Sequence, residues 1–209
     1  MIPCRILLAD DHAVIRTGLR YLLARHFQVQ EVDEADSCTS LLAALDATVY
    51  THVILDLQLG DCNSMELIGQ MRERFPGLPF LVYTMSPEAI FGKRLMQMGV
   101  EGFLSKQADE AEVIRALQLF FNGGRYISEE LKPLLVQEPG RPENPFTGLS
   151  ERETSVLRYM LQGLRVKEIS NQMDLKMSTV ATYKVRIFEK LSVDNVMDLQ
   201  RMADVYDFV

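Results

Sequence analysis

The sequence predicts a doubly wound α/β sheet of five βα units, (βα)5, followed by a separate all-α domain of four helices. Three observations predict it. Short apolar runs alternate with stretches of helical periodicity through the first ~127 residues. A proline-rich stretch, Gln137 to Thr147 (QEPGRPENPFT), comes next. From Leu149 onward the periodicity is helical throughout. A chain of 209 residues is long for one small domain and natural for two.

The elements follow in order. Ile6, Leu7 and Leu8 make a continuous apolar strand, the pattern of a parallel sheet covered on both faces. Ile15, Leu19, Leu22 and Leu23 recur at the spacing of a buried helix stripe. Val29 to Ala35 is a weaker second strand, and Leu41, Leu42 and Leu45 mark a second helix. Val53, Ile54 and Leu55 form the third strand, and Met65 to Phe75 the third helix, stopped by Pro76-Gly77. Pro79 to Thr84 is the fourth strand, and Pro87 suits the first turn of a fourth helix. Gly102 to Ser105 is the fifth strand. Val113, Ala116, Leu117, Phe120 and Phe121 give the fifth helix, closed by Gly123-Gly124. Residues 1–127 are therefore expected as one domain, 128–147 as a linker with a short helix over Ser128 to Val136, and 148–209 as the second domain.

In the second domain Ser150 and Glu153 form a capping box. Leu157, Met160, Leu161 and Leu164 follow at helical spacing, and Gly163 punctuates the end. A short helix, Lys167 to Met173, and a turn at Asp174-Leu175 lead to a third helix whose inward stripe is Val180, Ile187 and Leu191. A last helix, Val196 to Val205, carries Leu199 and Met202. Two short helices joined by a tight turn, with a polar outer face on the second, read as a helix-turn-helix.

The formal charge of −7 sits entirely before Thr147, with thirteen basic against twenty acidic residues; from Thr147 onward nine balance nine. An acidic front half suits a divalent cation, and a neutral back half gives no bulk attraction to nucleic acid. No apolar run approaches the ~18 residues of a membrane span. The start, MIPCRILLADD, lacks the basic region of a signal peptide. Cys4, Cys38 and Cys62 have no C-x-x-C spacing, so reduced thiols in a cytoplasmic protein are expected.

The chemistry gathers at the ends of the apolar runs: Asp10 and Asp11, Asp56, Thr84 and Lys106. If the runs are parallel strands, these side chains share the carboxyl edge of one sheet, where open α/β sheets bind ligands. Like charges so close cannot all stay ionised unless a cation joins them. Magnesium takes a few carboxylates, keeps several waters and recruits a phosphate oxygen. Asp56, on the middle strand, is the candidate nucleophile.

DDH ending the first strand, with Asp56, Thr84 and Lys106 ending the third, fourth and fifth, resembles a two-component receiver domain, which has a flavodoxin-like fold. The resemblance implies that Asp56 accepts phosphate from a sensor histidine kinase or phosphotransfer protein. It implies that Asp10, Asp11, Asp56 and the carbonyl of Gln58 serve Mg2+, and that Thr84 and Lys106 hold the phosphoryl group. Phe103 is implied as an aromatic switch that turns inward. The chain departs from the usual Met-Pro-x-x-x-Gly loop after the phosphoacceptor, carrying Leu59, Gly60 and Ser64 instead. Aspartyl phosphatases share the nucleophile but want a second acid two residues on, where Gln58 stands; an enzyme is not expected.

The back half carries L-S-E-R-E, the Gly163 turn, K-E-I, S-T-V and R-I-x-x-K-L, and resembles the LuxR/NarL/FixJ helix-turn-helix. The whole chain thus resembles a bacterial NarL/FixJ response regulator. The resemblance implies transcription control by an active homodimer on inverted half-sites in double-stranded DNA. The face opposite Val180, Ile187 and Leu191 supplies the expected DNA contacts: Ser178, Thr179, Ala181, Thr182, Lys184, Val185, Arg186 and Lys190. Leu199 and Met202 are a candidate dimer face. Arg165 and Lys176 stand at helix starts where Ser or Thr usually caps, at about 1 kcal/mol per missing cap. The alternative is a receiver-containing regulator that acts through protein–protein contacts or independently of phosphorylation.

Overall fold

In the computed structural model, which describes residues 4–29, 31–60, 62, 64–136, 144–191, 193, 195–206 and 208, the apolar runs become five parallel strands. They are β1 (Arg5–Ala9), β2 (Glu31–Ala35), β3 (His52–Leu55), β4 (Phe80–Thr84) and β5 (Gly102–Ser105), in the order β2-β1-β3-β4-β5. Ile6, Leu7, Val53, Leu55 and Phe80 to Val82 are sealed from solvent on both faces, which is why these strands read as unbroken apolar runs. The weaker β2 lies at the edge with its outer residues half-exposed.

Helices α1 (Ala13–Phe27), α2 (Cys38–Ala47), α3 (Ser64–Arg74), α4 (Glu88–Gln97) and α5 (Glu110–Phe121) connect and follow the strands. Their starts are chemically marked. The Ser37 hydroxyl accepts from the Ser40 amide at 3.1 Å, and the Asp109 carboxylate from the Glu112 amide at 2.8 Å. Leu19, Leu23, Val113, Ala116, Leu117 and Phe120 fill one core against the sheet.

The segment after α5 returns to the sheet. The Tyr126 amide donates to the Glu101 carbonyl at 2.8 Å and pairs beside Gly102. A short helix, α6 (Leu131–Val136), then lies on α4, with Leu131 fully buried. A Cβ on Gly92 would come within 2.8 Å of the Leu131 Cδ1, so a glycine on α4 makes room for this docking. Compactness divides the chain into Met1–Gln137 and Glu138–Val209. The expected tether lies mostly outside the described residues.

The second unit opens with a 3-10 turn, Pro145–Gly148, then α7 (Glu151–Leu161), α8 (Val166–Met173), α9 (Met177–Leu191) and α10 (Val196–Val205). Phe146, read from sequence as part of the tether, is buried here and stacks on Phe208 at 4.2 Å between ring centres. One aromatic among prolines carries no periodicity, so its burial left no mark in the sequence.

The cysteines differ from expectation. Cys38 and Cys62 form a disulfide, with Cα atoms 6.1 Å apart, while Cys4 is free. The 24-residue separation matches no motif. The pair meets because α2 starts after β2, and the loop carrying Cys62 leaves β3 at the same sheet edge.

Candidate functional site

Each acidic-site residue is set by a strand end. The Asp10 amide donates to the Ala35 carbonyl at 3.0 Å, the Asp56 amide to Ala9 at 2.8 Å, and the Lys106 amide to Thr84 at 2.8 Å. These bonds carry the ladder one residue past the strands and align Asp10, Asp56 and Lys106 along one edge.

The Lys106 ammonium lies 2.6 Å from Asp10 Oδ2 and 2.7 Å from Asp56 Oδ2, with its side chain only 4% exposed. Burial opposes its charge, but the bonds to Asp10 and Asp56 outweigh that and raise its pKa. The Asp10 Oδ1 accepts from the His12 amide at 2.9 Å. By contrast, the buried Asp56 Oδ1 has no hydrogen-bond partner among the described residues. A buried anionic oxygen without a donor is costly, and a cation or phosphoryl chemistry would use it.

Asp10, Asp11, His12 and Asp56 each bring a ligand atom within 4.8 Å of the others. Oxygen-rich donors suit a hard divalent cation, so the residues present fit Mg2+. His12 is the N-cap of α1; its imidazole sits beside Asp11. Gln58, half-buried, follows two residues after Asp56. Gly60 has φ +50°, a conformation closed to proline, so this loop takes a path that the usual proline-bearing loop cannot.

Thr84 is fully buried, and its hydroxyl accepts from the Ser86 amide at 3.2 Å. Ser86, buried beside it, was invisible in the sequence, since a lone serine has no pattern. Phe103 is also fully buried. Phenylalanine has no hydroxyl to hold an outward rotamer, and burial favours the inward one. An open pocket of about 340 Å3 adjoins it, lined in part by Glu88, Leu104, Glu112 and Tyr126.

In the second unit, Asp174 with φ +52° turns the chain from α8 into α9. Val180, Ile187 and Leu191 point inward and are buried. Ser178, Ala181, Thr182, Val185 and Arg186 are exposed on the opposite face, and Thr179 and Lys184 are half-buried at its margin. Ser178, Thr179, Thr182, Tyr183 and Arg186 line a shallow groove of about 270 Å3. Arg165 caps nothing with its side chain, yet Glu168 accepts from the Arg165 amide at 2.7 Å, so one orphan donor is satisfied.

One expectation is corrected by burial, and one residue has a structural role beyond the expected one. Leu199 and Met202 are 0% and 1% exposed, so they belong to the core of their own domain and offer no free dimer face. Helical spacing gives a stripe but not which neighbour covers it; the exposed apolar residues of α10 are Val196 and Met197. Lys190, expected among the DNA contacts, also ties α9 to α7. Its ammonium is 2.7 Å from Glu153 and also reaches the Gly148 carbonyl at 3.2 Å.

The Lys190 bond, then the Ser150 amide, draw the Glu153 carboxyl down to about 2 from its ordinary value near 4.5. A depressed carboxyl stabilises the fold above its unfolded pKa, and that contribution fades as pH falls through the folded value. Lys190→Met is thus expected to destabilise the second unit at neutral pH by about 2 kcal/mol, allowing for the partly exposed lysine. Thermal unfolding at pH 7 and near pH 2 checks it: the gap between variant and parent should shrink in acid.

Residues 6–118 match the family described as "Response regulator receiver domain", and residues 147–203 "Bacterial regulatory proteins, luxR family". The chain is 35% identical over 202 residues to the response regulator GacA of Pseudomonas protegens, covering 95% of this chain and 94% of that protein. Among solved structures, it is similar to RcsB of Salmonella enterica serovar Typhimurium bound to promoter rprA with the phosphomimetic BeF3-. That likeness has a TM-score of 0.64 and 26% identity, over 97% of this chain and 98% of that one. A structure of two RcsB dimers on two parallel DNAs gives a TM-score of 0.64 at 25% identity, with the same coverage. Strand order, acidic edge, helix-turn-helix and both family matches agree: the chain belongs to the response regulators, a receiver domain joined to a luxR-family regulatory domain.

Proposed function

We propose that the protein is a phosphorylation-switched transcription regulator whose receiver takes a phosphoryl group on Asp56. The observation that supports this most directly is Asp56 itself. It is buried, one oxygen is held by Lys106, and the other is without a partner among the described residues. The free Oδ1 is the nucleophile toward phosphorus. A P–O bond forms as the P–N bond of a phosphohistidine breaks, and the departing imidazole takes a proton. Lys106 offsets the charge on the phosphoryl oxygens, and Thr84 donates its hydroxyl to one of them.

Mg2+, when bound, would neutralise the crowded oxygens; Asp11, Asp56 and the Gln58 carbonyl would hold it directly, and Asp10 through water. Family membership supports a kinase or phosphotransfer partner, an acyl phosphate and a regulatory rather than enzymatic role. For DNA, the exposed face of α9 is the reading surface. Short residues at Ala181 and Thr182 allow close approach, and Arg186 reaches a base edge. Lys184 lies at the margin toward backbone phosphates. Protein dimers would read inverted half-sites about one DNA turn apart. The domains of this reading are a receiver over 1–127, a linker over 128–147 and a DNA-binding domain over 148–209.

Footprinting on genomic fragments, with and without acetyl phosphate and Mg2+, tests the proposal. Paired protected half-sites that strengthen with the phosphodonor are expected. A footprint indifferent to the donor would remove phosphorylation control. No footprint in any condition would remove DNA reading and favour a protein-binding role.

A further inference from the structure

The disulfide lies in an unexpected place. Cys62 is in the loop after Asp56, four residues beyond Gln58, and Cys38 is the first residue of α2. The bond therefore fastens the far end of the phosphoacceptor loop to a neighbouring helix. The near end is fixed by the Asp56 amide on the Ala9 carbonyl at 2.8 Å. Between these anchors the chain passes through Gln58 and the left-handed Gly60.

A protein that binds DNA works where glutathione keeps most thiols reduced, and disulfides found there are mostly transient and regulatory. We infer that Cys38 and Cys62 form a reversible thiol–disulfide site, responsive to glutathione, that sets how well the loop after Asp56 is organised to receive Mg2+. This rests on the reading of the acidic edge as a Mg2+ and phosphoryl site.

The chemistry balances with glutathione disulfide as oxidant. The exposed Cys62 gives up its proton and attacks one glutathione sulfur, forming a mixed disulfide and releasing one glutathione thiolate. Cys38, only 4% exposed, then attacks the Cys62 sulfur and releases the second. Two protein thiols are oxidised, one glutathione disulfide is reduced, and the two protons pass to the two departing thiolates. Reduction reverses both steps. The Cα separation of 6.1 Å lies within the range that a disulfide spans without moving the backbone.

The link to the ion is one of ordering. A loop closed at both ends has fewer conformations to lose when the Gln58 carbonyl meets a cation. Leu57 and Leu59 are buried in the same loop and hold part of it in either redox state, so the effect is graded and not all-or-none. The reduced protein is expected to bind Mg2+ about three- to tenfold more weakly than the oxidised protein.

The test uses the full chain. Samples are poised at graded ratios of glutathione to its disulfide, thiols are trapped, and peptide mapping reports the Cys38–Cys62 pair. Mg2+ is then titrated calorimetrically into the oxidised protein, the reduced protein and Cys62→Ser. Reversible pairing, weaker Mg2+ binding on reduction, and a Cys62→Ser protein that matches the reduced form whatever the glutathione ratio would support the inference. Failure of glutathione disulfide to produce the pair would overturn it, as would equal Mg2+ affinity in both redox states. Those outcomes leave the phosphoryl-site reading standing. A protein that takes Mg2+ in neither state removes that reading, and the inference with it. The comparison of oxidised with reduced parent protein needs no variant to fold.

Discussion

Asp56→Asn is expected to lower phosphoryl incorporation from acetyl phosphate by roughly a thousandfold or more, as loss of a reacting group typically does. The amide keeps the shape of the side chain but removes the carboxylate charge, and with it the nucleophilicity at the Oδ1 position that neither Lys106 nor any other described residue engages. Folding should survive, because Lys106 keeps its 2.6 Å contact with Asp10. One carboxylate fewer also relieves repulsion in the acidic cluster. Intact-protein mass spectrometry after incubation with the donor reads incorporation, and thermal unfolding reads the fold. Stable incorporation at an undiminished level in the variant would place the phosphoacceptor elsewhere.

Arg186→Ala is expected to weaken binding to a specific site by about 1–3 kcal/mol while changing non-specific binding much less. Its side chain is exposed on the proposed reading face of α9 and is engaged by no ion pair among the described residues. Titration of labelled operator and scrambled duplex at one salt concentration distinguishes the two. An equal loss on both would recast Arg186 as a phosphate contact. Lys190 provides a contrast on the same helix: its removal should act first on stability, because its charge is committed to Glu153.

The sheet was legible for a physical reason. Ile6 to Leu8, Val53 to Leu55 and Phe80 to Val82 are buried on both faces, so nothing polar interrupts them. The same logic located Asp10, Asp56, Thr84 and Lys106, because polarity reappears where the strands leave the core. What escaped the sequence depends on neighbours distant along the chain. The Cys38–Cys62 bond needs two loops to meet at one edge. Lys190 looks like any basic residue on a polar face until α7 is placed beside it. Leu199 and Met202 form an apolar stripe whose cover is set by packing and not by period. Phe103 could be named as a mobile ring, but its resting position depends on the pocket around it.

The return of the chain along β5 bears on where the receiver can be cut. With Tyr126 and Leu131 in place, part of β5's outer edge is shielded: Gly102 is covered by Tyr126, and Leu131 fills the hollow beside Gly92. A fragment ended at α5, where helical periodicity stops, would keep every residue of the acidic edge. It would also expose backbone donors and acceptors on β5, a template on which other chains add strands. Such a truncation is therefore a recipe for self-association, and the serviceable receiver fragment extends through Val136.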